Sequence, residues 1–141
     1  MIEMIVVGKL SNVYYKQAFD YYEKQLKNLK VIEIKESNRI EESKTMAKYL
    51  KKDAFKIVLA IEGLMLSSED FSKHIEKAID TGKHVQVMIG GSEGIDTHIK
   101  SDAQLMVSMS KMTFPHQLAR VMVVEQIYRA IKIIENHPYH K

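Results

Sequence analysis

The chain contains no cysteine. Disulfides, thiolate zinc sites and cysteine nucleophiles are therefore excluded, and the composition suits a reducing cytoplasm. Long apolar runs are also missing. The run at the start, within MIEMIVVGKL, has no basic lead-in and is too short for a signal peptide or a membrane span. Neither sign of charge dominates. A formal net charge of +3 permits nucleic-acid binding but leaves a weak electrostatic footprint for it. There is no internal repeat, low-complexity stretch or linker, no G-x-S-x-G elbow and no H-E-x-x-H zinc helix. The six histidines are scattered without a carboxylate cluster beside them, so no metal site is expected.

What is present suits a single domain over residues 1–141, with 45% hydrophobic residues to build its core. Nine methionines are plentiful for this length and belong mostly to core or interface, because Met fills irregular gaps. Ile2 to Val7 is a short β-branched run closed by Gly8 and reads as a buried strand. Val13 to Leu29 carries Tyr15, Ala18, Phe19, Tyr22 and Leu26 at helical spacing. Val31 to Ile34 reads as a second strand, and Glu36 to Glu42 as a polar loop with a modest helix after or within it, marked by Ile40, Ser43, Ala47 and Leu50. Lys56 to Ile61 is a third strand. Ser67 and Ser68, followed by Glu69 and Asp70, place an N-cap and first-turn acids before a helix that buries Phe71, Ile75, Ala78 and Ile79 and stops at Thr81-Gly82. His84 to Ile89 and Ala103 to Val107 supply two more strands, with a short helix over Ile95 to Ile99 between them. This alternation predicts an α/β fold with a mainly parallel, five- or six-stranded sheet covered by helices on both faces.

In such a sheet, ligands bind beyond the carboxyl ends of the strands. That rule selects three loops: Glu62 to Leu66, Gly90 to Gly94 and Ser108 to Phe114. Gly90-Gly91-Ser92-Glu93-Gly94 matches neither the G-x-G-x-x-G spacing nor a P-loop. It reads either as a close-approach loop for a ligand or as a plain strand-to-helix turn.

The last third has two further peculiarities. From Leu118 to Ile134 a helix is apolar over most of its circumference. Val123, Ile127, Ile131 and Ile134 fill one arc, Leu118, Met122 and Ile133 another, and Val121 and Tyr128 a third. Glu125, Arg129 and Lys132 share a narrow polar strip. Such a helix needs cover on more than one side, from its own sheet and from a second copy of the chain. Arg120 sits within the apolar arc near the helix start, where the dipole disfavours a cation. It is either a snorkelling surface arginine or a charge kept for an anionic or polar ligand. The tail, Asn136-His137-Pro138-Tyr139-His140-Lys141, is either a frayed terminus or a site built from two histidines, a tyrosine and a lysine.

At these loops the sequence closely resembles the SPOUT class of RNA methyltransferases and, within it, the large-subunit ribosomal RNA methyltransferase H type, which methylates N3 of a pseudouridine. The resemblance rests on VVGKL near the start, LAIEGLMLSSE, VMIGGSEG, VSMSKMTFPHQLAR, and VEQIYRAIKI followed by HPYHK, in that order and over essentially the whole chain. The connection from Glu36 to about Glu42 is shorter than the family pattern, away from all of these motifs. The resemblance implies a C-terminal trefoil knot, which unknotted-topology rules would never have suggested, and an obligate homodimer. It implies S-adenosyl-L-methionine as cofactor, held by Leu59, Gly90, Met109, Ser110, Lys111, Met112, Thr113 and Phe114, and ribosomal RNA on the assembled ribosome as partner. The chemistry of such a target suggests a catalytic group in which Tyr139 and His140 stack and hold the pseudouridine and Arg129 or Arg120 balances the anionic base, the tail of one subunit reaching the partner subunit's site. His116, His137, His140 and Glu125 are all candidates for the proton acceptor. Other readings are a SPOUT enzyme with a different RNA target and a non-enzymatic dimeric module that binds RNA or a nucleotide.

Overall fold

Each strand of the sheet sends alternate side chains to opposite faces, and both faces are apolar. In a computed structural model describing residues 1–141, Met4 and Val6 of β1 (Ile2–Val7) enter one hydrophobic cluster while Ile5 and Val7 enter the other. The remaining elements follow in chain order as α1 (Val13–Glu23), β2 (Leu29–Ile34), α2 (Arg39–Ala47), β3 (Phe55–Leu64), α3 (Ser68–Asp80), β4 (Val85–Ile89), α4 (Thr97–Asp102), β5 (Leu105–Val107) and α5 (His116–Ile134). All strand pairs are parallel, in the order β2-β1-β4-β3-β5. The larger cluster lies under α1, α3 and α5, with Phe19, Phe71, Ile75, Val124 and Ile127 buried on the sheet. The smaller one lies under α2 and α4, through Met46 and Ile99. A five-stranded sheet with helices on both faces is thus present as expected.

Several boundaries differ from the sequence reading for local reasons. The first helix ends at Glu23 rather than near Leu29, because Gln25 and Leu26 turn back to the carbonyls of Tyr22 and Glu23, freeing Leu29 to enter β2. The polar stretch after β2 is mostly helical from Arg39. The Asn38 side chain accepts from the Glu41 amide at 2.9 Å, with Glu41 and Glu42 in the first turn. β3 runs on to Leu64 with an irregularity, since both Leu59 and Leu64 register against Val107 and the residues between them loop out. Gly63 makes this possible: a Cβ there would lie 2.7 Å from the Met106 carbonyl carbon. No helix is long and apolar enough to cross a membrane.

The long helix finds much of its cover within its own chain. α5 packs on the sheet between α1 and α3. Val123, Ile127, Ile131 and Ile134 belong to the core or pack against it, whereas Leu118, Met122 and Ile133 remain half-buried on the outer arc. Its start is tied down by Gln117, whose Oε1 accepts from the Ser11 amide at 3.1 Å. The helix begins at His116, so Arg120 falls in its second turn, where the dipole penalty has largely faded.

Candidate active site

At the carboxyl ends of β3 and β5, facing α3 and α5, a cleft of about 150 Å³ opens between Leu59, Leu66, Ser67, Val107, Met109 and Gln126. Its walls are mainly apolar. Its polar edge comes from serines and Gln126, whose Oε1 accepts from Ser68 Oγ at 2.8 Å. The segment after β5 is folded on its own hydroxyls. Ser108 Oγ donates to the Ser110 carbonyl at 2.9 Å, and Ser110 Oγ accepts from the Met112 amide at 3.0 Å. This leaves Met112 prominently exposed, at 73%. Leu59 and Met109 therefore line the cleft, while Ser110 to Phe114 form the loop that leads away from it. Gly90 follows β4. A Cβ there would come within 2.8 Å of Gly94 and Ile95, so the absent side chain is required by the glycine loop's own return, pinned by a Gly91–Gly94 bridge.

A second group of residues sits beside the cleft, one helical turn beyond Gln126. α5 ends in a Schellman arrangement: Asn136 adopts φ 56°, its amide donates to the Ile133 carbonyl, and the His137 amide donates to the Lys132 carbonyl. Asparagine tolerates this left-handed conformation better than other side-chain-bearing residues. The chain thereby reverses, and the tail lies back on the helix instead of fraying. The Tyr139 ring meets Tyr128 edge-on at 4.8 Å, with the Arg129 guanidinium 4.9 Å from its centroid. Arg129 is held by both carboxylate oxygens of Glu125, at 2.8 and 3.3 Å. That carboxylate raises the Arg129 pKa, keeping the guanidinium charged. Arg129 Nη1 also lies 3.0 Å from His140 Nδ1, and His140 Nε2 faces Glu69 at the start of α3. Arginine can only donate, so Nδ1 accepts and Nε2 carries the proton given to Glu69. In this arrangement the imidazole has no free lone pair.

Burial first, and a hydrogen bond with Tyr22 second, push the Tyr139 phenol up to about 12. Tyr139 is therefore neutral at physiological pH and serves as donor and stacking surface, not as a base. Its folded-state pKa exceeds the ordinary value of about 10. The contribution of tail docking to stability is thus complete below pH 10 and is lost as pH rises through 12. A pH titration of Tyr139 ring resonances is expected to show the tail releasing in that interval; release below pH 9 contradicts this packing.

Arg129, Tyr139 and His140 are brought together. Arg120 is not among them, lying nine positions and about 13.5 Å of helix away from Arg129. It is 2% exposed, which rules out a snorkelling side chain. Nη1 meets Glu33 of β2 at 2.9 Å, and Nη2 donates to the carbonyls of Val7 and Gly8 at 2.9 and 2.8 Å. Burial lowers its pKa, opposed by Glu33. Its charge thus fastens α5 to the ends of β1 and β2. Of the other proton-acceptor candidates, Glu125 is engaged by Arg129, His137 Nδ1 accepts from the Tyr139 amide at 3.1 Å, and His116 is half-buried at the start of α5.

Sequence reasoning missed Glu69, Tyr22 and Glu33. Glu69 had a sufficient local explanation as a first-turn acid, and nothing in the linear pattern links it to a residue 71 positions later. No group of three or more His, Cys, Asp or Glu side chains is placed to hold a metal ion.

The family model described as "Predicted SPOUT methyltransferase" matches residues 1–140. The chain is 38% identical to the "Ribosomal RNA large subunit methyltransferase H" of Caldicellulosiruptor saccharolyticus, with all of both chains covered. It is 39% identical to the protein of that name from Acholeplasma laidlawii over 99% of each chain, and 41% identical to that of Caldicellulosiruptor bescii over all of both. The alignments to the two Caldicellulosiruptor proteins span 154 positions against 141 residues here, so those relatives carry positions this chain lacks. With a match along nearly its whole length, this chain belongs to the SPOUT methyltransferase family.

Proposed function

We propose that this protein is an S-adenosyl-L-methionine-dependent methyltransferase that methylates N3 of a pseudouridine in large-subunit ribosomal RNA, acting in the cytoplasm as a homodimer with a trefoil-knotted C-terminal region. The observation that carries the reading is the adjacency of two unlike sites: an apolar cleft with a hydroxyl edge, and a cation–aromatic cluster built from the tail. The cleft suits the cofactor chemically, because an adenine needs apolar walls with polar groups at one rim. Leu59 and Met109 would contact it there, with Gly90 and the run from Ser110 to Phe114 enclosing the remainder. When bound, the cofactor supplies an electrophilic methyl on a sulfonium.

The chain's own residues have the other tasks. N3 of a uracil-like base holds a proton at neutral pH and gains negative charge as it loses it. Arg129, kept charged and oriented by Glu125, is suited to balance that charge, as a preorganised cation costs no reorganisation during the reaction. Tyr139 offers a flat face for the base and a hydroxyl that stays protonated. His140 becomes able to accept a proton once its Nδ1 leaves Arg129, so substrate entry and displacement of the tail are one event in this scheme. In a dimer the freed tail would serve the neighbouring site.

A second copy is supported by apolar side chains left in the open at the cleft's rim. Ile61, Leu64, Met65 and Met112 are 58%, 61%, 61% and 73% exposed, and α5 keeps an outer arc of Leu118, Met122 and Ile133. The weak net charge favours a preformed, ribosome-sized target over free RNA, because each subunit has few cations to spend on phosphates.

Calorimetry with S-adenosyl-L-methionine is the direct test. Micromolar binding heat is expected, and a flat trace leaves only the reading of a non-enzymatic RNA-binding module. Methylation of intact large subunits is expected to outpace that of naked ribosomal RNA; equal rates on the two would contradict ribosome docking. Mapping of the methylated nucleotide separates pseudouridine N3 from any other RNA target.

A further inference from the structure

The amino ends of the strands, opposite the candidate active site, hold a row of buried polar side chains that the proposed reaction does not use. Glu3, Gln86 and Lys56 are in register across β1, β4 and β3 and all point to the face under α2 and α4. Two of the three are satisfied. Gln86 Nε2 donates to Glu3 Oε1 at 2.9 Å and to the Tyr49 carbonyl at 2.8 Å, and its Oε1 accepts from the Lys51 amide at 3.0 Å. Lys51 Nζ lies 3.3 Å from Glu3. Burial pushes the Glu3 carboxyl up, but the Gln86 and Lys51 contacts outweigh it and hold it below its ordinary value. Glu3 is therefore a neutralised anion.

Lys56 is different. It is only 4% exposed, yet its ammonium group has one partner, the Lys52 carbonyl at 3.3 Å. An ammonium offers three donors, and a buried cation without a counter-charge is costly. Lys56 lines an open depression of about 370 Å³ between the end of α2, α4 and the residue before β5. Lys51, Lys52 and His98 share its wall, and Asp102 is the single acid there. Lys51 is taken up by Glu3, which leaves Lys52 and Lys56 against Asp102, and the more buried of the two holds a single acceptor; the cavity is shaped for an anion.

We propose that this depression is a phosphate-binding site that seats a backbone phosphodiester of the RNA substrate, about one strand length (~20 Å) from the reacting base. The proposal rests on the RNA-methyltransferase reading for its choice of occupant. Lysine favours this choice on chemical grounds. Its compact, rotatable donors suit a point-like tetrahedral anion, whereas planar carboxylates are matched by the arginine fork, which the depression lacks. RNA presents such anions at high density, and one seated phosphate would fix the register of the substrate without reading its sequence.

The test uses the intact protein and two variants, Lys56→Met and Lys52→Gln, with inorganic phosphate and isolated large ribosomal subunits as probes. Tens of millimolar phosphate is expected to raise the wild-type melting temperature by about 3 °C over chloride of equal ionic strength. Both variants should lose that rise. Binding to large subunits should weaken in both, with the slope of log affinity against log salt reduced by about one. A phosphate-induced rise that persists in both variants overturns the site. Loss of the rise with an unchanged salt slope overturns RNA as the occupant and leaves a free-phosphate site. Should Lys56→Met fail to fold, Lys52→Gln carries the same readouts, because Lys52 is exposed. Binding heat for S-adenosyl-L-methionine should be unchanged in both variants, so failure here is distinguishable from failure of the functional reading.

Discussion

Replacing Arg120 with methionine is expected to destabilise the protein by about 3 kcal/mol while leaving cofactor affinity per folded molecule intact. The side chain is 2% exposed and satisfies three acceptors at once: Glu33 and the carbonyls of Val7 and Gly8. Methionine fills similar space but donates nothing. Two carbonyls at the end of β1 are then left without this donor, and the junction of β1, β2 and α5 loses a charged fastening common to all three. Glu33 can turn to water, since its side chain is 40% exposed, so the loss should sit at the lower end of what breaking a buried ion pair costs. Urea unfolding reads the effect as a lowered midpoint with an unchanged slope. A stable variant that no longer methylates RNA would return Arg120 to the catalytic group.

Removing Tyr139 to Lys141 is expected to reduce methylation by about three orders of magnitude, with S-adenosyl-L-methionine binding retained. The deletion takes away the face over Tyr128 and the imidazole between Arg129 and Glu69, but touches nothing that lines the cleft. Arg129→Met should show a loss of about two orders in the same assay, since it leaves the tail's residues in place but removes the charge that Glu125 orients. The split between lost turnover and retained binding is diagnostic, because a purely structural role for the tail would lower both. Full activity in the truncated protein would remove the tail from the mechanism.

The sheet was legible because its signals are local. Short apolar, β-branched runs alternate with helical periodicities, and a chain that alternates in this way has few options besides a parallel sheet between two helical layers. The strand-end rule then selected the loops Glu62 to Leu66, Gly90 to Gly94 and Ser108 to Phe114 without any ligand in view, whereas Leu59 was named only through the resemblance. The helix cap at Ser67 was legible for the same reason, as its hydroxyl accepts from an amide three residues on.

Partnerships between distant residues were not legible. Whether an arginine among apolar residues is a core fastener or a ligand's counter-charge depends on what stands opposite it. For Arg120 that is Glu33, 87 positions away on a strand whose register is set by β1. The tail's reversal follows from one left-handed asparagine, but its landing place depends on where α3 begins, and so on the packing of α3 against α5. Lys56 looks like any lysine at the mouth of a strand until the pleat turns it inward beside Gln86. Taken alone, then, the sequence decided the elements, their order and which loops follow the carboxyl ends of the strands, because those follow from periodicity and turn chemistry within short windows. Only the tertiary structure decided which charges meet, because ion pairs and buried donors are fixed by contacts between segments far apart in the chain.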